Sequence, residues 1–224
     1  MAFNVAIDGP AGAGKSTIAK IVAKEKGFVY VDTGAMFRAL AIYFIRQGIG
    51  ADENEKISAS LSGADVTIEY VGGEQQVLLN GENVTPFLRT EEVGNMASAS
   101  SVNGDVRAKM KELQQKLAET TNVVMDGRDI GTVVLPNAQV KVYLTASVEV
   151  RAKRRYDELI AKGQEADLEK IKKDIEERDY RDMNRDISPL RQAEDAVLVD
   201  SSNLNIEESA AAILALIDQY KGEM

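Results

Sequence analysis

The stretch Gly9-Pro10-Ala11-Gly12-Ala13-Gly14-Lys15-Ser16 decides which fold this sequence predicts. It matches the phosphate-loop pattern of spaced glycines that ends in Gly-Lys-Ser. A short apolar run at residues 4–7 precedes it, and a helical pattern follows from about Lys15. Strand, loop and helix in this order favour phosphate binding, because backbone N–H groups and the helix dipole converge on the anion. The sequence therefore predicts an α/β protein with a phosphate site after its first strand.

The side chains of this loop indicate a nucleotide bound together with a magnesium ion. Lys15 is expected to bridge phosphate charge, the hydroxyl of Ser16 is placed to ligate Mg²⁺, and Thr17 should lie near the α-phosphate. Two alternatives are a glycine-rich turn without a ligand and a dinucleotide-binding loop. The complete Lys-Ser ending disfavours the first, and the absence of GxGxxG spacing disfavours the second. The predicted nucleotide-binding residues are Gly9, Pro10, Ala11, Gly12, Ala13, Gly14, Lys15, Ser16 and Thr17.

Composition narrows the possible functions. The chain has 224 residues, 44% of them hydrophobic, which fits one globular core with a modest insertion. Its net charge of −9 disfavours nucleic acid and anionic membranes as partners, so an anionic ligand must meet locally concentrated Lys and Arg. The absence of cysteine and histidine excludes disulfides, thiolate chemistry and an imidazole general base. The absence of cysteine is also consistent with a cytoplasmic protein, and the first apolar run is too short for a signal peptide or a membrane span.

Five short apolar runs predict the strands of a parallel sheet. They lie at residues 4–7, 28–31, 123–125, 140–144 and 196–199. Their apolar residues are consecutive and not alternating, as expected for strands buried on both faces, and long amphipathic segments follow most of them. We therefore predict a doubly wound, five-stranded parallel sheet with helices on both faces. The last helix, from about Asn205, is expected to cover the sheet with an apolar stripe that begins at Ile206.

Residues 64–85 depart from this pattern. Apolar residues alternate there, and the pairs Gly72-Gly73 and Asn80-Gly81 are strong hairpin turns. These features predict a small antiparallel meander inserted into the parallel fold.

Two longer segments are helical in pattern, each with an interruption. Residues 89–120 are predicted to form two helices that join at Asn103-Gly104. Residues 151–185 are densely charged, with a break at Gly163, and their spacing alone indicates a solvated helical face.

Charged residues also follow two of the predicted strands. Arg38 lies one turn into the helix after the second strand, where it can reach an acceptor phosphate. Asp126 ends the third strand along the chain, from which a carboxylate can hold Mg²⁺ through water. Arg128 and Asp129 come next and could simply pair with each other.

Three further segments carry a family resemblance: residues 31–38 (VDTGAMFR), 125–132 (MDGRDIGT) and 178–185 (RDYRDMNR). With the phosphate loop, they resemble bacterial cytidylate kinases, a family of P-loop nucleoside monophosphate (NMP) kinases, over essentially the whole chain. The resemblance implies one P-loop kinase domain over residues 1–224, with an NMP-binding insert at 60–100 and a lid with its following helix at 150–185. It further implies ATP and Mg²⁺ as cofactors, CMP and dCMP as acceptors, and a cytoplasmic monomer without nucleic-acid or membrane partners.

The resemblance also assigns roles to individual residues. Arg128 and Arg185 are implied to contact the CMP phosphate, and Asp129 is implied to contact the cytosine. Arg178 and Asp182 are implied to approach the ribose, and Ser98 and Arg107 to approach the base. The implied substrate-binding set is Thr33, Gly34, Phe37, Arg38, Ser98, Arg107, Arg128, Asp129, Arg178, Asp182 and Arg185. The implied catalytic set is Lys15, Arg128, Arg154, Arg181 and Arg185.

Some charged residues are given no role, and one position departs from the family. Arg151, Lys153 and Arg155 keep the interpretation of a solvated face. The family commonly has tyrosine where this chain has Phe37, so a hydrogen bond from that side chain is not expected here.

Other functions fit the sequence less well. A P-loop kinase for UMP, shikimate or dephospho-coenzyme A stays possible on the phosphate loop alone, but the Asp182 to Arg185 cluster and the meander favour a nucleotide acceptor. A regulatory GTPase would need an Asn-Lys-x-Asp motif, and the sequence contains no Asn-Lys pair. An ATPase that acts on nucleic acid is disfavoured by the charge of −9.

Overall fold

The computed structural model describes residues 2–222. The chain divides into two compact units. The larger unit comprises Met1–Tyr30 and Thr120–Met224, and the smaller unit comprises Val31–Glu119.

The strands, in chain order, are β1 (Asn4–Asp8), β2 (Val29–Asp32), β3 (Val66–Val71), β4 (Glu74–Leu79), β5 (Glu82–Asn83), β6 (Val123–Gly127), β7 (Val140–Thr145) and β8 (Val197–Asp200). The α-helices are α1 (Lys15–Lys26), α2 (Thr33–Arg46), α3 (Asn54–Ser60), α4 (Glu91–Ser100), α5 (Gly104–Thr120), α6 (Val148–Ala161), α7 (Leu168–Asn184) and α8 (Ile206–Gly222). None of the helices within residues 2–222 is both long and apolar enough to cross a membrane.

A five-stranded sheet with the order β2-β6-β1-β7-β8 organises the larger unit. The central strand β1 pairs in parallel with β6 and β7, and β7 pairs in parallel with β8. The prediction of a doubly wound, five-stranded parallel sheet with helices on both faces is confirmed. Because all these strands run in one direction, the loops after β1, β6 and β7 lie at the same edge of the sheet.

The core of the larger unit lies between this sheet and two helices. Strand β1 contributes fully buried Val5 and Ile7, and helix α1 contributes Ile18 and Val22. Helix α8 contributes Ala210, Ile213 and Ile217 to the same cluster. Ile206, which was predicted to begin this apolar stripe, is 48% exposed because it occupies the first turn of the helix.

The smaller unit contains the predicted antiparallel meander, with the strand order β3-β4-β5. Strands β3 and β4 pair from Val66 opposite Leu79 to Val71 opposite Glu74. The turn between them is formed by Gly72 and Gly73, both with positive φ. One face of the meander is buried through Val66, Val77 and Leu79, each at most 3% exposed.

Both predicted helix interruptions have a local cause. Asn103 separates α4 from α5, since its Oδ1 accepts from the backbone N–H groups of Asp105 at 2.9 Å and Val106 at 3.2 Å. This is the capping arrangement that begins a new helix. Gly163 has φ 72° and follows the end of α6, as expected for a glycine at a helix C-terminus.

Candidate active site

The phosphate loop begins at the end of β1 and leads into α1, as predicted. Gly9 passes so close to β7 that a Cβ atom at this position would lie 1.9 Å from the carbonyl oxygen of Leu144. Gly14, the residue before α1, has a left-handed conformation with φ 86°. Both positions need glycine, the first for space and the second for backbone conformation. The loop therefore brings its backbone close to the sheet edge and ends at a helix N-terminus, the usual place for an anion.

Lys15 is buried within the loop that it completes. It is 6% exposed, and its Nζ donates to the carbonyl oxygen of Pro10 at 2.7 Å. Burial lowers the pKa of Lys15 well below its ordinary value, and the positive charges of Arg128 and Arg178 lower it further, although two nearby carboxylates oppose them. A cation in such surroundings gains stabilisation when an anion arrives. Lys15 is thus placed to respond to phosphate.

Ser16 and Asp126 meet at the same edge of the sheet. The Ser16 hydroxyl donates to Oδ2 of Asp126 at 3.0 Å, and the Tyr30 hydroxyl donates to Oδ1 at 2.9 Å. The contact follows from the strand order, because β6 lies beside β1 with Asp126 opposite Ile7. The structure therefore brings together the two residues that the sequence predicts as magnesium ligands. A hydroxyl and a carboxylate are oxygen ligands of the kind that Mg²⁺ prefers.

Asp8, the last residue of β1, fixes the backbone that follows Asp129. Its Oδ1 accepts from the N–H of Ile130 at 2.8 Å, and its Oδ2 accepts from the N–H of Gly131 at 2.7 Å. Residues Ile130–Val134 form a single wide helical turn. Burial raises the pKa of Asp8 to about 6, although the two backbone hydrogen bonds act in the opposite direction. Asp8 thus holds the turn next to two predicted substrate-binding residues.

The raised pKa of Asp8 predicts an unusual pH dependence of stability. Its ordinary value is 3.8, so the folded protein binds this proton more tightly than the unfolded chain does. Protonation of Asp8 should therefore stabilise the fold as the pH falls from 7 to 5, by about 1 kcal/mol. Urea unfolding of the parent and of Asp8→Asn at both pH values measures this contribution, since the other carboxylates cancel in the difference. A difference between the two proteins that does not change with pH would contradict the assignment.

A second cluster of charges joins the loop after β6 to the end of α7. Nε of Arg128 donates to Oδ2 of Asp182 at 2.9 Å, and Nη1 of Arg185 lies 3.8 Å from Oδ1 of the same carboxylate. Asp182 is buried, and its own carbonyl oxygen accepts from the N–H of Leu190 at 2.7 Å. Burial alone would raise the pKa of Asp182, but its ion pair with Arg128 and the charges of Arg178 and Arg185 hold it below the ordinary value. The structure therefore groups these four predicted residues, and Arg128 pairs with Asp182.

The interpretation of Arg151 as part of a solvated face is wrong. Arg151 is 4% exposed, and its Nη2 forms an ion pair with Oδ2 of Asp179 at 2.7 Å. Its Nη1 donates to the carbonyl oxygen of Ala11 in the phosphate loop at 3.0 Å. A charged side chain is stable in this position because a carboxylate and backbone carbonyls satisfy it. Lys153 and Arg155 of the same helix are exposed, as expected.

The remaining predicted arginines of the larger unit differ in their surroundings. Arg154 donates to the carbonyl oxygen of Ser201 at 2.7 Å and to its hydroxyl at 3.2 Å. Arg178 is half-buried and Arg181 is exposed. The implied catalytic roles of Arg154 and Arg181, and the implied contact of Arg178 with the ribose, remain predictions.

In the smaller unit, β2 ends at Asp32 and α2 begins at Thr33, so the Asp-Thr-Gly turn (residues 32–34) is a direct strand-to-helix junction. Oδ1 of Asp32 caps α2 by accepting from the N–H of Ala35 at 2.9 Å. Thr33 is 3% exposed. A Cβ atom on Gly34 would lie 3.2 Å from Oδ1 of Asp32 and 3.3 Å from Nη1 of Arg38. The turn and the Arg38 guanidinium therefore lie side by side.

Phe37 and Arg107 also lie together in the smaller unit. The guanidinium carbon of Arg107 is 5.5 Å from the centre of the Phe37 ring, within the range of a cation–π interaction. Nη1 of Arg107 donates to the carbonyl oxygen of Ser101 at 3.1 Å. Ser98 is half-buried on α4. The phenyl ring at position 37 thus has a contact that does not need a hydroxyl group.

A family model described as cytidylate kinase matches residues 5–219 of this chain. The chain belongs to the cytidylate kinase family. The cytidylate kinase of Caldicellulosiruptor saccharolyticus is 50% identical over 220 residues, covering 98% of this chain and 97% of the relative. That of Bacillus subtilis is 46% identical over 217 residues, covering 97% of both proteins. Among solved structures, an uncharacterized protein from Eubacterium ventriosum has a TM-score of 0.54 at 11% identity. The match covers 96% of this chain and 98% of that protein, and at this identity it supports the fold alone.

Three polar contacts in this member of the cytidylate kinase family are not predicted by its sequence. In the sequence, Asp8 directly follows the first apolar run, and Tyr30 lies inside the second. Asp179 stood in a charged segment without a role. A polar side chain inside or directly after a buried strand could have marked Asp8 and Tyr30, since buried polar groups need partners. No local pattern marks Asp179, because its partner Arg151 lies on another helix.

Proposed function

We propose that this protein transfers the γ-phosphoryl group of ATP to CMP and dCMP, giving ADP and CDP or dCDP. The observation that carries the proposal is the phosphate loop with Lys15 buried in it, in a chain of the cytidylate kinase family. The relatives at 46% and 50% identity are cytidylate kinases and match nearly the full length of the chain.

The donor nucleotide is proposed to lie along the phosphate loop. Backbone N–H groups from Ala11 to Ser16 would surround the β-phosphate, Thr17 would lie near the α-phosphate, and Lys15 would follow the γ-phosphoryl group. Ser16 and Asp126 would hold Mg²⁺, Asp126 through a water molecule. Their hydrogen bond of 3.0 Å supports this, because it places the two oxygens next to each other. When bound, the ion would neutralise charge on the β- and γ-phosphate oxygens.

In the larger unit, the proposed acceptor residues are Arg128, Asp129, Arg178, Asp182 and Arg185. Arg128 and Arg185 are proposed to bind the CMP phosphate, since planar guanidinium groups bind phosphate oxygens two at a time. Asp182 engages Arg128 through Nε, which orients the terminal nitrogens of the guanidinium. Asp129, which is 5% exposed, is proposed to accept from the exocyclic amine of cytosine.

In the smaller unit, the proposed residues form two groups. Thr33, Gly34 and Arg38 are proposed to bind the acceptor phosphate, with support from the short distances between Arg38 and the Asp-Thr-Gly turn. Phe37, Ser98 and Arg107 are proposed to contact the base. The cation–π contact would hold the Arg107 guanidinium in place to donate to the pyrimidine carbonyl.

The reaction needs little from the protein beyond positioning and positive charge. The second pKa of a phosphate monoester is about 6, so the attacking oxygen of CMP is already largely ionised at neutral pH. Because no general base is required, a chain without histidine can perform the transfer. Buried Lys15 and the arginines would stabilise the charge on the transferring group. Arg154 and Arg181 are the proposed contributors from α6 and α7.

The division of the chain is also proposed by analogy with the family. We infer one P-loop kinase domain over residues 1–224, with an NMP-binding insert at 60–100 and a lid with its following helix at 150–185. The meander and helices α6 and α7 support this, since they occupy these ranges. A lid would exclude water and so limit hydrolysis of ATP.

A coupled ADP-release assay with ATP, Mg²⁺ and one acceptor at a time tests the proposed function. CMP and dCMP should support turnover, and UMP and AMP should support much less. The reaction without acceptor gives the rate of ATP hydrolysis as the control. Equal rates with and without CMP would overturn the proposal.

A further inference from the structure

Gln75 makes an unusual contact with the backbone at the end of β2. Its Oε1 accepts from the N–H of Asp32 at 2.8 Å, and its Nε2 donates to the carbonyl oxygen of the same residue at 3.3 Å. A side-chain amide that binds both backbone groups of one residue acts as a neighbouring strand would. All the atoms involved belong to the smaller unit.

Asp32, whose backbone Gln75 binds, is the first residue of the Asp-Thr-Gly turn. Asp32 is followed directly by Thr33 and Gly34, and its carboxylate caps α2 through Ala35. The Arg38 guanidinium lies against the same turn. A shift of the Asp32 backbone would therefore move the groups proposed to bind the acceptor phosphate.

The meander does not depend on Gln75 for its own folding. Strand β4, which carries Gln75, is anchored in the core by Val77 and Leu79, which are 1% and 3% exposed. Gln75 pairs with Tyr70 near the exposed end of the hairpin. Removal of its side chain should thus loosen the contact with Asp32 and leave the meander folded.

We propose that Gln75 is a positioning residue for the acceptor phosphate, an inference that rests on the proposed CMP kinase function. It holds the backbone of Asp32 so that the Asp-Thr-Gly turn and Arg38 are pre-formed for CMP. The Gln75 amide couples the position of the meander to the acceptor site. Within residues 2–222, the hydrogen bonds of the Gln75 side chain are to Asp32, so binding of ATP should not depend on them.

The test compares Gln75→Ala and Gln75→Glu with the matched control Gln76→Ala. Gln76 is the next residue of β4, is also half-buried, and accepts from Nδ2 of Asn83 at 2.8 Å, away from the turn. Isothermal titration with CMP alone should show a dissociation constant about fivefold higher for Gln75→Ala, as expected for lost hydrogen bonds. Gln75→Glu should bind CMP no more tightly than Gln75→Ala, because a carboxylate oxygen would face the carbonyl oxygen of Asp32. The control should bind CMP within about twofold of the parent.

Steady-state kinetics separates positioning from general destabilisation. KM for CMP should rise about fivefold in both Gln75 variants, while KM for ATP and the midpoint of thermal unfolding stay near those of the parent. Unchanged CMP affinity in Gln75→Ala would overturn the inference, and so would an equal loss of CMP and ATP affinity. If the parent itself does not phosphorylate CMP, the proposed function fails, and the inference fails with it. An active parent with unaffected variants refutes the inference alone.

Discussion

Replacement of Lys15 by alanine is expected to lower kcat for CMP phosphorylation by about a thousandfold, in a protein that remains folded. Lys15 is buried in the phosphate loop, and its Nζ donates within that loop to the carbonyl oxygen of Pro10 at 2.7 Å. Its charge is the one proposed to follow the γ-phosphoryl group into the transition state. The coupled ADP-release assay at saturating CMP measures the loss.

The fold should survive because the folded protein disfavours the charge of Lys15. Burial lowers its pKa, so the charged ammonium contributes no stability at neutral pH that alanine would lose. Lys15→Met, which keeps the buried methylene groups, should be as inactive as Lys15→Ala. As a control, Lys24→Ala, a substitution at an exposed position of α1, should keep turnover within about twofold of the parent. Near-normal turnover in Lys15→Ala would refute the role of Lys15.

Strand positions could be predicted from the sequence because burial on both faces leaves a strong local pattern. The predicted run at residues 140–144 corresponds to strand β7 (Val140–Thr145), and the run at residues 4–7 corresponds to strand β1 (Asn4–Asp8). The meander was predictable for a different reason. Gly72-Gly73 and Asn80-Gly81 supply backbone conformations that most residues avoid, and these residues have positive φ in the structure.

Tertiary contacts of charged residues could not be predicted in the same way. Arg151 stands in a helix in which most other charged residues are exposed, and its ion pair with Asp179 on α7 is not marked by any local pattern. The partners of Asp8 are backbone N–H groups of Ile130 and Gly131, far away in sequence. Helix and strand periodicity carries no information about such pairs.

The same difference applies to the residues of the candidate site: those in one continuous motif could be predicted from the sequence, and those that meet only in the fold could not. The phosphate loop is a continuous motif, so its glycines and Lys15 could be assigned from the sequence. The proposed acceptor residues come from several distant segments, and they were assigned through resemblance to a family. The structure groups Arg128 with Asp182 and Phe37 with Arg107. Their roles toward CMP stay predictions until binding is measured.

Asp129→Asn is expected to reduce the preference for CMP over UMP at least tenfold, which corresponds to roughly 1.4 kcal/mol. An ionised carboxylate can only accept hydrogen bonds. Cytosine presents an exocyclic amine where uracil presents a carbonyl oxygen, so Asp129 would face a second acceptor in UMP. Asp129 is 5% exposed, and an unpaired acceptor in a buried place costs about 1–3 kcal/mol. Asparagine can donate to uracil, so kcat/KM for CMP should fall while that for UMP is retained or rises.

The control for this change is Asp174→Asn, which removes an exposed charge from α7. It should leave the ratio of kcat/KM for CMP to kcat/KM for UMP unaltered. An unchanged ratio in Asp129→Asn would mean that Asp129 does not discriminate between cytosine and uracil. The simplest other role, holding Arg128, has weak support because Nε of Arg128 pairs with Asp182 at 2.9 Å. Asp129 raises the pKa of Asp8 through its charge, so Asp129→Asn should also lower the pH at which Asp8 titrates. A lower titration pH together with an unchanged ratio would leave Asp129 as an electrostatic neighbour of Asp8, and base selection would then fall to other residues of the site.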